Sequence, residues 1–159
     1  MSMDLDNKVD LDSDAIQDLD NYRPGKDEEF MNPRQLAYFR KKLVAWKDDI
    51  LRESRETLEA LQEETLEALQ EESTNHPDIA DRASSESDRA LELRTRDRQR
   101  KLISKIDSAL ARVDDKSYGY CEVTGDPIGI ARLDARPIAT MSLESQEKHE
   151  RREKEYRDE

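Results

Sequence analysis

The sequence predicts a mainly helical chain built on a long antiparallel hairpin, with a small compact region and a last helix after it. Three observations carry this. Leu36, Phe39, Leu43, Trp46 and Ile50 recur at alternating spacings of three and four, the pattern of a seam that faces a partner helix. The stretch from Gln35 to about Ser73 contains no Gly or Pro, and Asn75-His76-Pro77-Asp78 then interrupts it. Charged residues make up 42% of the chain and hydrophobic ones 34%, too little apolar surface for a compact globule but enough for a narrow seam.

Residues 1–29 carry ten carboxylates against Lys8, Arg23 and Lys26, a local charge of −7 within a total of −12. They read as an acidic, mostly disordered segment with Val9, Leu11, Ile16 and Leu19 as its few anchors and a short helix near Ser13–Asn21. Pro24-Gly25 closes the segment as a turn.

The hairpin is expected over residues 30–115. Asn32 is a good N-cap, and Pro33 is tolerated at the first helical position because its missing N–H would have had no partner there. Proline disfavours helix in the residue before it, so the chain turns near Pro77 and residues 75–84 form the tip. Ser84 or Ser85 is the expected cap of a second helix running to about Asp115, with Leu91, Leu102, Ile106, Leu110 and Val113 as its seam. Two long helices joined by a short loop pack antiparallel.

Residues 116–159 form the third part. Gly119, Gly125, Gly129, Pro127 and Pro137 fall among apolar residues up to position 141, which reads as short strands and turns. Ser142 is the expected cap of a last, highly charged helix to about Arg157.

Residues 57–64 read TLEALQEE, and residues 65–72 repeat them. Eight residues turn a helix about 80° past two full turns and lengthen it by about 12 Å. Leu58, Leu61, Leu66 and Leu69 therefore cannot all face one straight seam. A bulge, a local rewinding or an overhanging first arm is the expected outcome.

The single cysteine, Cys121, excludes an internal disulfide framework. No apolar run is long enough to span a bilayer and no secretory signal is evident, so a cytoplasmic place is expected. The negative charge argues against tight DNA binding, which needs a basic face. No P-loop, nucleophile elbow or clustered histidine marks an enzyme.

Three blocks resemble the DksA family, the DnaK suppressor proteins: Glu28–Trp46 (EEFMNPRQLAYFRKKLVAW), His76–Ser84 with Leu91–Ile106, and Tyr118–Thr140 (YGYCEVTGDPIGIARLDARPIAT). The resemblance implies a coiled-coil hairpin, a small zinc-finger-like globular region and a C-terminal helix. It also implies a monomeric regulator that enters the secondary channel of RNA polymerase and modulates initiation at ribosomal RNA and amino-acid promoters, together with the alarmone ppGpp. The family's tip motif falls on Asp78, Asp81 and Ala83, which the resemblance places at the polymerase active centre. Capping of a helix is the plainer role for those carboxylates. Arg98 matches a contact with the channel rim, and Lys101, Leu102, Lys105 and Arg136 match the alarmone site; a further family lysine is Gln146 here. Cationic side chains suit phosphate groups, although a solvated face of i,i+4 pairs is the common reading of such a run.

Most of the family binds zinc through two Cys-x-x-Cys pairs. The corresponding positions here are Cys121, Thr124, Ser142 and Ser145. Hydroxyls are poor zinc donors and a structural site needs four good ones, so zinc is not expected as a cofactor. His149 reads as plain surface, and Cys121 as a buried structural thiol with nothing evident to lower its pKa. Two other classes compete with the regulator: a Gre-like factor whose acidic tip stimulates transcript cleavage, and a structural coiled-coil scaffold.

Overall fold

A computed structural model of the chain describes residues 18–71 and 79–158. Among these residues there are four helices: α1 (Pro33–Glu71), α2 (Ile79–Asp115), α3 (Ile130–Ala135) and α4 (Leu143–Arg157). The chain divides into two compact units, one of residues 1–44 and 106–159 and the other of residues 45–105.

In the first unit, α1 begins as its sequence requires. The Asn32 side chain accepts from the Gln35 backbone N–H at 2.9 Å and its carbonyl from that of Leu36 at 3.0 Å. Leu36 is nearly buried, and Phe39 and Leu43 are fully so; Ile106, Ala109 and Val113 of α2 are likewise fully buried. Arg40 and Asp114 form an exposed ion pair at 3.6 Å between the two helices. Tyr118 completes this core: it packs on Phe39 with ring centroids 5.6 Å apart, and its hydroxyl donates to the Pro137 carbonyl at 2.6 Å. Burial raises the Tyr118 pKa, because removal from water penalises the phenolate.

The expectation of disorder over residues 1–29 fails for its described part. Leu19 and Tyr22 are buried and cluster with Ala37, with Tyr38 packed against them. The Tyr22 hydroxyl donates to Glu28, Gln35 Nε2 donates to the same carboxylate at 3.1 Å, and the Arg34 guanidinium lies 4.3 Å over the Tyr22 ring. Burial and the Glu28 carboxylate push the Tyr22 phenol up to about 12. A few aromatic anchors thus offset the local acidity. Residues 18–21 form a turn, not the helix expected there, because Asp18 has φ +58° and its side chain accepts from Asn21 at 2.8 Å. Val9, Leu11, Ile16 and residues 13–17 of that expected helix lie outside the described residues.

No strand forms among the described residues of the third part. Tyr120 and Pro127 make one isolated antiparallel bridge. Ile130 and Leu133 belong to α3, where a three-residue spacing keeps them on one helical face and Leu133 is fully buried. Gly129, at φ +103°, precedes the helix, and Pro137 follows its end. Ser142 caps α4 as expected, accepting from the Ser145 N–H at 3.3 Å.

In the second unit α1 is unbroken through the first copy of the octapeptide and on to Glu71, so no bulge accommodates the repeat among the described residues. Nor does the second copy overhang: Leu61, Thr65 and Leu69 share a groove with Ser85, Asp88 and Glu92 of α2. Leu66 and Leu69 remain 60% and 61% exposed. Helix α2 begins at Ile79, not at Ser84 or Ser85. Residues 79–84 of the expected tip are thus helical, started by Asp81 in the first turn, where a carboxylate complements the helix dipole. Leu91 is 62% exposed and is no seam residue. Between positions 80 and 105 no described side chain is buried.

Candidate functional site

The second unit carries the tip and the cationic arm. Asp81 and Ala83 lie exposed in the first turns of α2; Asp78 falls outside the described residues. Farther along, Arg94, Arg98, Lys101 and Lys105 follow one another at four, three and four residues, so they line one face of α2. All four are exposed, and Leu102 is half-buried beside them. The i,i+4 ion pairs that would make this a solvated face do not form: among the described residues none of the four has a carboxylate within ion-pair distance. One helix therefore presents an unneutralised stripe of four cations in a chain of charge −12, the arrangement that favours oxyanions. Arg136, in the first unit, is the exposed C-cap residue of α3, its backbone N–H bonded to the Arg132 carbonyl at 2.8 Å.

The first unit holds the four positions where the family's finger carries thiolates. They converge. Cys121 Sγ and the Ser145 hydroxyl are 3.4 Å apart, and the Ser142 and Ser145 hydroxyls 3.1 Å. Thr124 Oγ1 accepts from the Asp126 N–H at 3.3 Å. Backbone bonds hold the loop: Cys121 N–H to the Asp126 carbonyl and Gly125 N–H to the Cys121 carbonyl, both 2.8 Å, and Glu122 N–H to the Thr140 carbonyl, 2.9 Å. The finger's backbone is thus closed by hydrogen bonds among its own side chains and loop.

These residues do not fit zinc. One thiol and three hydroxyls are an inadequate donor set, and among the described residues no group of three or more His, Cys, Asp or Glu side chains could hold a metal ion. His149 is half-exposed on α4 and paired with Glu153 at 4.0 Å.

Cys121 is buried, as expected, but its acidity is not ordinary. Burial pushes the thiol up, yet the Ser145 hydroxyl, the Ser142 backbone and the Thr124 hydroxyl and backbone outweigh it, leaving the pKa lowered to about 5. The groups that replace the other ligands stabilise the thiolate by hydrogen bonding instead of by metal. Sequence reasoning missed this because three of the partners lie more than twenty residues away or on the backbone.

A helical pair beside a finger module closed without metal donors defines a class: coiled-coil proteins with a degenerate carboxy-terminal finger. The comparisons with known proteins give the particular family. Residues 35–113 match the family model "DnaK suppressor protein DksA, N-terminal domain", and residues 116–151 match "Prokaryotic dksA/traR C4-type zinc finger". The chain belongs to the DksA family. It is 69% identical to a protein of Caulobacter vibrioides named RNA polymerase-binding transcription factor DksA, over 91% of this chain and 96% of that one. A protein of the same name from Escherichia coli is 43% identical over 88% and 87%. Among solved structures, the transcription factor DksA2 from Pseudomonas aeruginosa aligns with a TM-score of 0.67 at 36% identity, covering 79% of this chain and 90% of that one. No helix among the described residues is long and apolar enough to cross a membrane.

Proposed function

We propose that this protein is a cytoplasmic, monomeric transcription regulator that binds RNA polymerase through its secondary channel and modulates initiation. The observation that carries the reading is the exposed, unpaired stripe of Arg94, Arg98, Lys101 and Lys105 in a chain whose relatives are named RNA polymerase-binding transcription factors. In this reading Arg98 meets the channel rim, and Asp78, Asp81 and Ala83 reach toward the polymerase active centre. The alarmone ppGpp acts as effector at the polymerase interface, with Lys101, Leu102, Lys105 and Arg136 recognising it. The phosphates meet cations that none of the described carboxylates neutralises. Gln146 donates to Glu150 at 3.0 Å and supplies no charge, so the alarmone is held by one cation fewer than in the family pattern.

The protein acts without a catalytic centre or a zinc ion of its own, and without reading DNA sequence. Its carboxylates work inside the polymerase, where short acidic side chains perturb metal-bound substrate electrostatically.

The test uses purified polymerase on a ribosomal RNA promoter, with the parent chain or Asp81→Asn, each with and without ppGpp. The parent is expected to lower transcription, more so with ppGpp, while Asp81→Asn binds polymerase equally and fails to act. Transcript cleavage in stalled complexes, with initiation unchanged, would instead establish the Gre-like role. Absence of polymerase binding would overturn the reading.

A further inference from the structure

The face of α4 beside the degenerate finger carries a second cluster that the polymerase reading leaves unused. Lys148 and Arg152 stand one turn apart on α4 and line a cavity of about 230 Å³. Its other walls are Val123 and Met141, which are apolar, and Thr124 and Ser145, which bring hydroxyls; His149 stands at its edge. Two nearby carboxylates are engaged elsewhere: Glu153 lies 4.0 Å from His149, and Glu150 accepts from Gln146. Lys148 and Arg152 have no carboxylate partner among the described residues. Two unneutralised cations in so acidic a chain are informative, because the acidic neighbours Glu144 and Glu147 were available on the same helix. Val123 is 67% exposed, an apolar side chain held open to solvent at the mouth of the same cavity.

The finger's own chemistry explains why an anion is tolerated here. A zinc ion held by four thiolates carries a net charge of −2, which repels oxyanions. In this chain Thr124, Ser142 and Ser145 occupy three of those positions with neutral hydroxyls, and the hydroxyls of Thr124 and Ser145 turn toward Cys121. Cys121, the remaining thiol, is buried and is not part of the cavity wall. The four finger positions thus carry at most one negative charge, buried at Cys121 and outside the cavity wall, in place of the two of a zinc–thiolate centre.

We infer that this cavity binds a small organic oxyanion bearing an apolar ring or branched group, its charge held by Lys148 and Arg152 and its apolar part laid on Val123 and Met141. The cavity is smaller than the roughly 300–1,000 Å³ usual for drug-sized ligands, so a one-ring anion suits it. Mixed apolar and ionic walls of this kind select for both halves of a ligand.

The experiment is an NMR titration of the full chain with three probes: phenyl phosphate, inorganic phosphate and benzyl alcohol. Phenyl phosphate is expected to give saturable shifts confined to Val123, Thr124, Met141 and residues 145–152 of α4, with each half-probe at least about tenfold weaker. Lys148→Glu with Arg152→Glu should abolish the shifts while the amide spectrum of Tyr118 and Leu133 stays in place; Lys148→Arg should retain them. Val123→Ser, an uncharged change at an exposed position, should weaken phenyl phosphate and leave inorganic phosphate unaffected. Shifts that never saturate, equal binding by inorganic phosphate, or undiminished binding to the charge-reversed variant would each overturn the inference.

Discussion

Cys121 Sγ and the Ser145 hydroxyl stand 3.4 Å apart, joining the first position of one finger pair to the last position of the other. Where the family's finger is tied by metal, this contact and its neighbours tie it by hydrogen bonds. Its consequences can be measured in several ways.

The Cys121 pKa is lowered to about 5 in the folded chain, whereas an unfolded thiol titrates near 8.5. A depressed pKa contributes stability that is fully present above the unfolded value and lost as pH falls through the folded one. Urea denaturation should therefore show stability rising between about pH 5 and pH 8.5. Cys121→Ser should flatten that rise, and Ser145→Ala should shrink it by removing a donor. An identical slope in Cys121→Ser would assign the pH dependence elsewhere.

Metal removal should leave the protein folded. Thermal unfolding with and without EDTA is expected to give the same midpoint, because one thiol and three hydroxyls do not fit zinc. A drop of many degrees would mean that a metal holds the finger after all.

Gly119 has φ +94°, and a Cβ there would come within 2.8 Å of Met31 Cγ. Met31 is itself buried. Gly119→Ala should lower stability by about 1–3 kcal/mol, from backbone strain and displacement of the methionine. In a double-mutant cycle with Met31→Ala the two costs should be less than additive, since the clash disappears while the strain remains.

Tyr118→Phe removes the donor to the Pro137 carbonyl and keeps the ring on Phe39. The buried carbonyl then lacks its partner, at a cost of about 1–2 kcal/mol. Chemical denaturation at neutral pH reads the effect directly, since the phenol is uncharged there.

Deleting residues 65–72 removes Leu66 and Leu69, both exposed, and no buried side chain among the described residues. The first unit should melt as before, and polymerase binding should be preserved or improved. A large loss of affinity would show that the longer arm is required.

Much of the fold was legible in the sequence, for physical reasons that also mark where legibility ended. The seam of Leu36, Phe39, Leu43 and Ile50, the Asn32 cap and the Ser142 cap all depend on neighbours within one or two turns, and all three appear where local spacing puts them. Leu91 misled because periodicity reports which face is apolar, not whether a partner supplies a surface to bury it. The helix holding Leu133 was hidden by surrounding glycines and prolines, which dominate a local reading of turns and strands. Leu19 and Tyr22 were obscured by the acidic residues around them, since two well-placed anchors alter average composition very little. At the candidate site, the cations of α2 could be named from their order, but that they lack carboxylate partners is a matter of geometry. The acidity of Cys121 depends on Ser142 and Ser145, brought near only by folding.

One feature of α1 bears on how such a protein changes over generations. From position 51 to position 70 no side chain is buried, so an insertion there rotates nothing out of a core and leaves no hole behind. An eight-residue copying event that would wreck most helices of a globular domain is close to neutral in this arm. Arm length is therefore open to selection independently of the fold's integrity, and lineages can vary reach while the buried base that carries the finger stays constant.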